Sequence, residues 1–153
     1  MDSNLKFYKS SDTDSIGGAI TATEIVDDVL NNLFDDVIGD ESRTGLTDYR
    51  KVFVKNIGLL DVTSIKLWIE VQTTSDDDYI AIATGSTVTG SNPTTDGQSY
   101  VTPSSESDPN VIVIGTLVPN AAQNIWIKRV VDPGAGIISN NLATLKISAI
   151  IGS

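Results

Sequence analysis

The sequence contains no cysteine and no histidine among its 153 residues. Without them it has no thiol nucleophile, no disulfide, and neither the imidazole nor the thiolate ligands of zinc and haem sites. The Ser-His-Asp triad is excluded for the same reason. We therefore predict a protein that is not an enzyme and that carries no cofactor and no metal.

Long apolar runs are also missing, and none approaches the roughly 20 residues that a membrane-spanning helix needs. The first residues, MDSN, lack the basic and apolar regions of a secretory leader. Positive charge is scarce, because 10 Lys and Arg stand against 20 Asp and Glu and give a formal net charge of -10. Such a chain repels nucleic-acid phosphates and anionic headgroups. We expect synthesis in a cytoplasm and neither a nucleic-acid nor a membrane partner.

Short strand-like segments separated by turns fill the sequence from Asp48 onward. Alternating apolar and polar residues, or a continuous apolar run, mark six of them, at residues 49–55, 65–71, 80–82, 111–117, 124–131 and 142–151. At least six strands in about 100 residues predict an all-β fold, in which two antiparallel sheets bury each other's apolar faces as a β-sandwich.

The first 47 residues differ in composition from the rest and are rich in Asp, Asn, Ser and Gly. We predict an N-terminal extension at residues 1–47, which packs on a sandwich formed by residues 48–153 or on a neighbouring molecule. Apolar side chains recur every four positions in residues 25–38, which favours one short amphipathic helix with Thr23 as its N-cap. A bent pair of strands is the alternative, because Val and Ile are abundant in this segment.

Several polar segments are candidate binding or catalytic sites. Residues 86–110 contain three prolines and predict an exposed, hairpin-like excursion, with a functional loop as the alternative. The acidic clusters at residues 35–41 and 76–78 fit solvated turns better than a hard-cation site. Glu70 lies on the polar face of its strand, where we expect a salt bridge or exposure rather than a general acid.

Aromatic residues share with lysines the strand faces that we expect to point outward. They are Tyr49, Phe53, Trp68 and Trp126. This is more aromatic surface than an isolated sandwich needs to expose, and large apolar patches usually mark interfaces. We favour structural packing or a subunit contact over sugar binding for the two tryptophans.

A short aromatic strand at residues 5–9 (LKFYK) provides a second candidate contact. It can add to the sheet edge of a neighbouring molecule, or it can pair within its own domain. The predicted partner interface therefore consists of Leu5, Phe7, Tyr8, Tyr49, Phe53, Trp68 and Trp126.

Three segments resemble bacterial immunoglobulin-like modules. Residues 52–58 (VFVKNIG) match the V-x-N-x-G strand end of those modules, residues 65–71 supply the partner strand, and residues 115–120 (GTLVPN) precede a strand at residues 125–127. Asn120 stands where the family's L-x-P-G corner has glycine. The resemblance covers residues 50–131 and implies an immunoglobulin-like antiparallel β-sandwich.

Over most of its length the chain also resembles small structural proteins of tailed bacteriophages. This resemblance lies in the order of GG at 17–18, NLFDDV at 32–37, GDES at 39–42, DYRKVFVKN at 48–56 and IWIKR at 125–129. It implies a non-enzymatic virion protein, and we predict a capsid decoration (cement) protein that binds the major capsid protein on the outer surface of the head. A tail, baseplate or fibre component, with or without a carbohydrate-binding role, is the alternative.

The resemblance also bears on assembly. Decoration proteins of this kind commonly sit at threefold positions of the shell, so the resemblance implies a homotrimer, and closed symmetry would bury the aromatic patch without forming open fibres. A monomer whose N-terminal segment covers the same face is the alternative.

Overall fold

The structure is a computed structural model, and it describes residues 4–26, 33–87, 89–97, 99–136 and 142–152. Its strands are β1 (Leu5–Ser10), β2 (Ile20–Glu24), β3 (Leu46–Asn56), β4 (Val62–Val71), β5 (Asp78–Thr84), β6 (Ile112–Leu117), β7 (Ala122–Val131) and β8 (Thr144–Ile151). A 3-10 turn covers Thr13–Ser15, and helix α1 covers Gly39–Thr44.

The strands form two sheets with antiparallel pairing throughout. One has five strands in the order β2-β1-β3-β7-β5, and the other has three in the order β6-β4-β8. The predicted all-β sandwich is confirmed. The likeness to immunoglobulin modules stays a prediction. Within the described ranges, no helix has the length and apolar character needed to cross a membrane.

The core lies between the two sheets and follows from the alternation of side chains along the strands. Val52 on β3 and Ile125 and Ile127 on β7 meet Leu67 and Ile69 on β4. A second buried cluster continues the core toward one end of the sandwich and contains Leu5, Val54, Val62, Ile65 and Leu117. Since residues of opposite parity point the other way, Lys51 and Phe53 of β3 lie on the outer face of the five-stranded sheet.

The N-terminal extension is part of the sandwich. Strand β1 pairs with β3 over residues 5–9 on one side and with β2 on the other. The alternative in which this strand pairs within its own domain is therefore the one that the structure adopts. Both hydrogen-bonding edges of β1 are used, so the strand has no edge left for a neighbouring molecule.

The predicted helix at residues 25–38 is wrong wherever the structure describes that segment. Residues 27–32 lie outside the described ranges, and residues 25–26 and 33–38 are not helical. Ile25, Leu33 and Phe34 are apolar residues of this segment that pack against the main core cluster. The helix begins instead at Gly39, where the Glu41 carboxylate accepts a hydrogen bond from the Ile38 N–H at 3.0 Å.

Most described residues of the polar segment at residues 86–110 are exposed, as predicted, but the segment is also attached to both sheets. Val101 exchanges two backbone hydrogen bonds of 2.9 Å with Ile82 on β5, and the Pro103 carbonyl accepts one of 2.8 Å from the Ile69 N–H on β4. Residues 101–103, which we call the strap, therefore connect an edge of one sheet to the other sheet. The preceding residues 85–87 and 89–97, which we call the cover loop, lie over the outer face of the five-stranded sheet.

Candidate functional site

The exposure predicted for the aromatic interface residues is wrong. Leu5, Phe53 and Trp126 are fully buried within this chain, and Trp68 is only 7% exposed. Phe7, Tyr8 and Tyr49 are half-buried. The four buried side chains offer no surface to a partner while the chain is folded.

Neighbouring parts of the chain occupy the space around the half-buried aromatic residues. Phe7 packs against both core clusters. The Tyr49 ring lies 5.7 Å from the ring of Tyr100, which follows the cover loop. Tyr8 is opposite Phe53 in the pairing of β1 with β3. These side chains therefore hold the sandwich and its loops together.

The cover loop contacts Trp126 directly. The loop backbone approaches so closely that a Cβ atom on Gly97 would lie 2.7 Å from Trp126 Cγ. The indole Nε1 donates a hydrogen bond of 2.5 Å to Asp96 Oδ2. Trp126 thus forms the floor of a buried polar cluster, whose other members are Lys51, Asp96 and Asn124.

Lys51 is the cation of this cluster and is completely buried. It lies opposite Trp126 in the pairing of β3 with β7, on the same face of the sheet. Its Nζ donates hydrogen bonds to the carbonyls of Gly90 at 2.7 Å and Thr87 at 3.2 Å. The ammonium also lies 3.5 Å from Asp96 Oδ2 and 5.5 Å from the Trp126 ring. Burial lowers the pKa of Lys51, and the Asp96 carboxylate opposes that shift.

Asp96 is the counter-charge and is also buried. Its carboxylate accepts hydrogen bonds from the Thr87 N–H at 2.5 Å, the Thr87 hydroxyl at 2.8 Å and the Ser86 hydroxyl at 3.0 Å, besides the Trp126 indole. Burial alone would raise the pKa of the Asp96 carboxyl, but the hydrogen bonds from Trp126, Thr87 and Ser86 lower it to about 2. The carboxylate therefore remains ionised at neutral pH.

Asn124 completes the cluster from β7, opposite Phe53. Its Nδ2 donates a hydrogen bond of 2.7 Å to the Thr87 carbonyl, which also accepts from Lys51. Its Oδ1 accepts a hydrogen bond of 2.9 Å from Gln123 Nε2. Lysine, carboxylate and amide thus converge in a space closed to solvent.

Sequence reasoning missed this cluster because Lys51 and Asn124 occupy strand positions that normally point to water. The glycines of the cover loop were the available signal. A Cβ atom on Gly85 would lie 2.0 Å from Asn124 Nδ2, and one on Gly90 would lie 2.6 Å from Asp96 Cγ. Glycines that recur in a long polar segment can indicate a backbone that lies directly on a sheet.

A second feature is an apolar surface at one end of the sandwich, where the β3–β4 and β6–β7 loops and the end of β8 meet. Its exposed side chains are Ile57, Leu59, Leu60, Val118 and Ile151, and we call this surface the apolar end. Buried Asn56 links the two loops, since its Nδ2 donates hydrogen bonds of 2.8 Å to the carbonyls of both Leu60 and Leu117.

Glu70 and Asp78, two of the acidic residues considered in the sequence, form ion pairs. Glu70 pairs with Lys146 across β4 and β8 on an exposed face, so the expected salt bridge is present. Asp78 is buried and accepts two hydrogen bonds from Arg129, at 2.7 and 3.1 Å. In the part of the chain that the structure describes, no three Asp or Glu residues are grouped to hold a metal ion.

Comparison of the chain with protein-family models, with curated proteins and with solved structures found no match.

Proposed function

We propose that this chain is a non-enzymatic structural protein of a tailed-phage virion, a decoration protein that binds the major capsid protein on the outer surface of the head. The observation that carries the proposal is the apolar end. Leu59 is 93% exposed there, and Leu60 and Val118 are each about half exposed. Exposed apolar side chains gathered at one end of a fold are typical of a protein contact.

A shell contact of ordinary size needs only a small part of the surface of this chain. A specific interface buries about 800 Å² on each partner, and the accessible surface of the whole chain is 8100 Å². One end of the sandwich therefore suffices. Burial of a fully exposed leucine contributes about 1.5–3 kcal/mol, so Leu59 alone supplies a large share of the binding free energy.

The loops of the apolar end are held in place before any partner binds. Asn56 fixes the carbonyls of Leu60 and Leu117, and the Gly152 N–H donates a hydrogen bond of 2.7 Å to the Asp61 carbonyl. A surface that is already ordered loses little conformational entropy on binding. The apolar end thus replaces the aromatic strand faces as the proposed contact, and a trimer rests on the phage resemblance alone.

The proposal is tested by sedimenting the purified chain with virions that lack it. Leu59→Asp should abolish co-sedimentation, because it places a charge in the contact. Val113→Asp is the matched control, since Val113 is 65% exposed on β6, away from the apolar end, and it should bind normally.

Copy number in native particles then distinguishes the head from the tail. Hundreds of copies per particle agree with decoration of the head, whereas a handful assign the chain to the tail, baseplate or fibre. Equal binding by the Leu59→Asp variant and the wild type would remove the apolar end from the proposal.

A further inference from the structure

We propose that the side chains of Lys51 and Asn124 join in an intramolecular isopeptide bond, which links the adjacent strands β3 and β7 covalently, with Asp96 transferring the proton. The inference is independent of the proposed virion role. It rests on three groups brought together by separate elements: a buried amine on β3, a buried carboxamide on β7 and a buried carboxylate from the cover loop.

The positions of the two strands allow the bond. Lys51 is opposite Trp126 and Asn124 is opposite Phe53, so the two side chains are diagonal neighbours on one face. Lys51 Nζ and Asn124 Nδ2 donate to the same Thr87 carbonyl at 3.2 and 2.7 Å, and their separation cannot exceed the sum of these distances. The proposed reaction requires Nζ to approach Asn124 Cγ by rotation of the lysine side chain, with the pairing of β3 and β7 kept.

The nucleophile must be a neutral amine, so the Lys51 ammonium has to lose a proton before it can react. Burial lowers the pKa of Lys51, which makes the neutral amine more accessible than it is in water. Asp96 Oδ2 lies 3.5 Å from Nζ and is ionised, so it can accept the proton that the ammonium must lose.

The electrophile is the Asn124 carboxamide carbon. Gln123 Nε2 donates a hydrogen bond of 2.9 Å to Asn124 Oδ1, the oxygen on which negative charge develops during attack. The backbone of Gly85 lies against the carboxamide, and the rings of Phe53 and Trp126 lie beside the Lys51 amine that must reach it. Because the amine and the carboxamide are held side by side and water is excluded, the reaction does not need a bimolecular encounter.

The reaction needs no further reagent. Asp96 takes a proton from Lys51, whose Nζ then forms a bond to Asn124 Cγ and gives a tetrahedral intermediate. Asp96 passes this proton to Nδ2, and the bond between Cγ and Nδ2 breaks to release ammonia. Nζ still carries one proton more than a secondary amide holds, so Asp96 transfers that proton to the ammonia, which leaves as an ammonium ion. The product is a secondary amide, and no atom is oxidised or reduced.

The test is the intact mass of the purified full chain, measured after denaturation. The wild type should be lighter than its sequence by the mass of one ammonia molecule, and Lys51→Arg should have the mass of its sequence. Asp96→Asn keeps both reacting groups but lacks the proton acceptor, and it should be mostly unlinked. A wild type at the full mass of its sequence overturns the proposal, whatever the variants do.

A tryptic digest locates the bond. Acylated Lys51 resists cleavage, so the linked chain should yield a branched peptide in which residues 51–55 are joined to residues 67–128. Loss of ammonia without this peptide, for example through a succinimide at another asparagine, overturns the proposal. Because both measurements use denatured protein, a variant that folds poorly still gives a mass.

Discussion

Substitution of Asn56 by alanine should destabilise the sandwich strongly, although the side chain is small and carries no charge. Asn56 is completely buried at the end of β3. Its Nδ2 donates to the carbonyls of Leu60 and Leu117, and its Oδ1 accepts a hydrogen bond of 2.9 Å from the Gly58 N–H. The Asn56 side chain therefore links the β3–β4 loop to the end of β6, where the β6–β7 loop begins.

The magnitude follows from these three contacts. Each hydrogen bond contributes about 1 kcal/mol, and the buried Leu117 carbonyl that loses its partner adds to the loss. We expect Asn56→Ala to lower the free energy of unfolding by about 3 kcal/mol. For a chain of this length that corresponds to a fall in Tm of roughly 10 °C.

Urea denaturation followed by tryptophan fluorescence and circular dichroism measures the effect. Asn110→Ala is the matched control, because Asn110 is exposed, and it should change stability by less than about 0.5 kcal/mol. Asn56→Asp retains the shape of the side chain and the acceptor oxygen. It replaces the Nδ2 donor by a negatively charged oxygen that faces two carbonyls. It should be at least as destabilising as alanine. A loss below about 1 kcal/mol for both variants would refute the assignment of these loops to Asn56.

Two further predictions concern the cover loop. The pKa of Asp96 is lowered in the folded state from 3.8 to about 2, so its contribution is present above pH 4 and is lost as the pH falls from about 4 toward 2. Protonation of Asp96 should lower the free energy of unfolding by about 2 kcal/mol over this interval. Urea denaturation at a series of pH values should show a smaller loss of stability below pH 4 for Asp96→Asn than for the wild type. Equal losses would contradict the ionised state of Asp96. Gly97→Ala should displace the loop from Trp126 and shift tryptophan emission to longer wavelength, because its Cβ would lie 2.7 Å from the ring. Gly136→Ala, with open space around the new Cβ, should leave emission unchanged, and an unshifted Gly97→Ala spectrum would contradict the contact.

The sequence predicted the strands and the faces of the sheets well, because a period of two residues has a direct physical cause. Along β3 it separates Val52 and Val54, which enter the core, from Lys51 and Phe53, which point away. It could not predict what covers the outward face. From the sequence alone, Lys51 is expected to be exposed to solvent. In the structure it is covered by a loop that begins more than thirty residues later.

The same limit explains the error at residues 25–38. Recurrence of apolar residues every four positions is typical of a helix, but Ile25, Leu33 and Phe34, which flank residues 27–32, contact the core without being helical. The buried polar cluster was out of reach for a related reason. Lys51, Asp96 and Asn124 come from three distant parts of the chain, and their meeting depends on sheet register and loop placement rather than on any local motif.

The strap also protects one edge of the five-stranded sheet against pairing with other chains at high protein concentration. The outer edge of β5 would otherwise present a row of backbone donors and acceptors, which other chains can use to extend a sheet and aggregate. Val101 takes up the backbone groups of Ile82, and Pro103 brings no N–H with which a further strand could pair. At the opposite edge of that sheet, β2 has only five residues, an irregular register, and Glu24 paired with Lys6. Both edges of the large sheet are therefore poor templates for the addition of a strand from another chain.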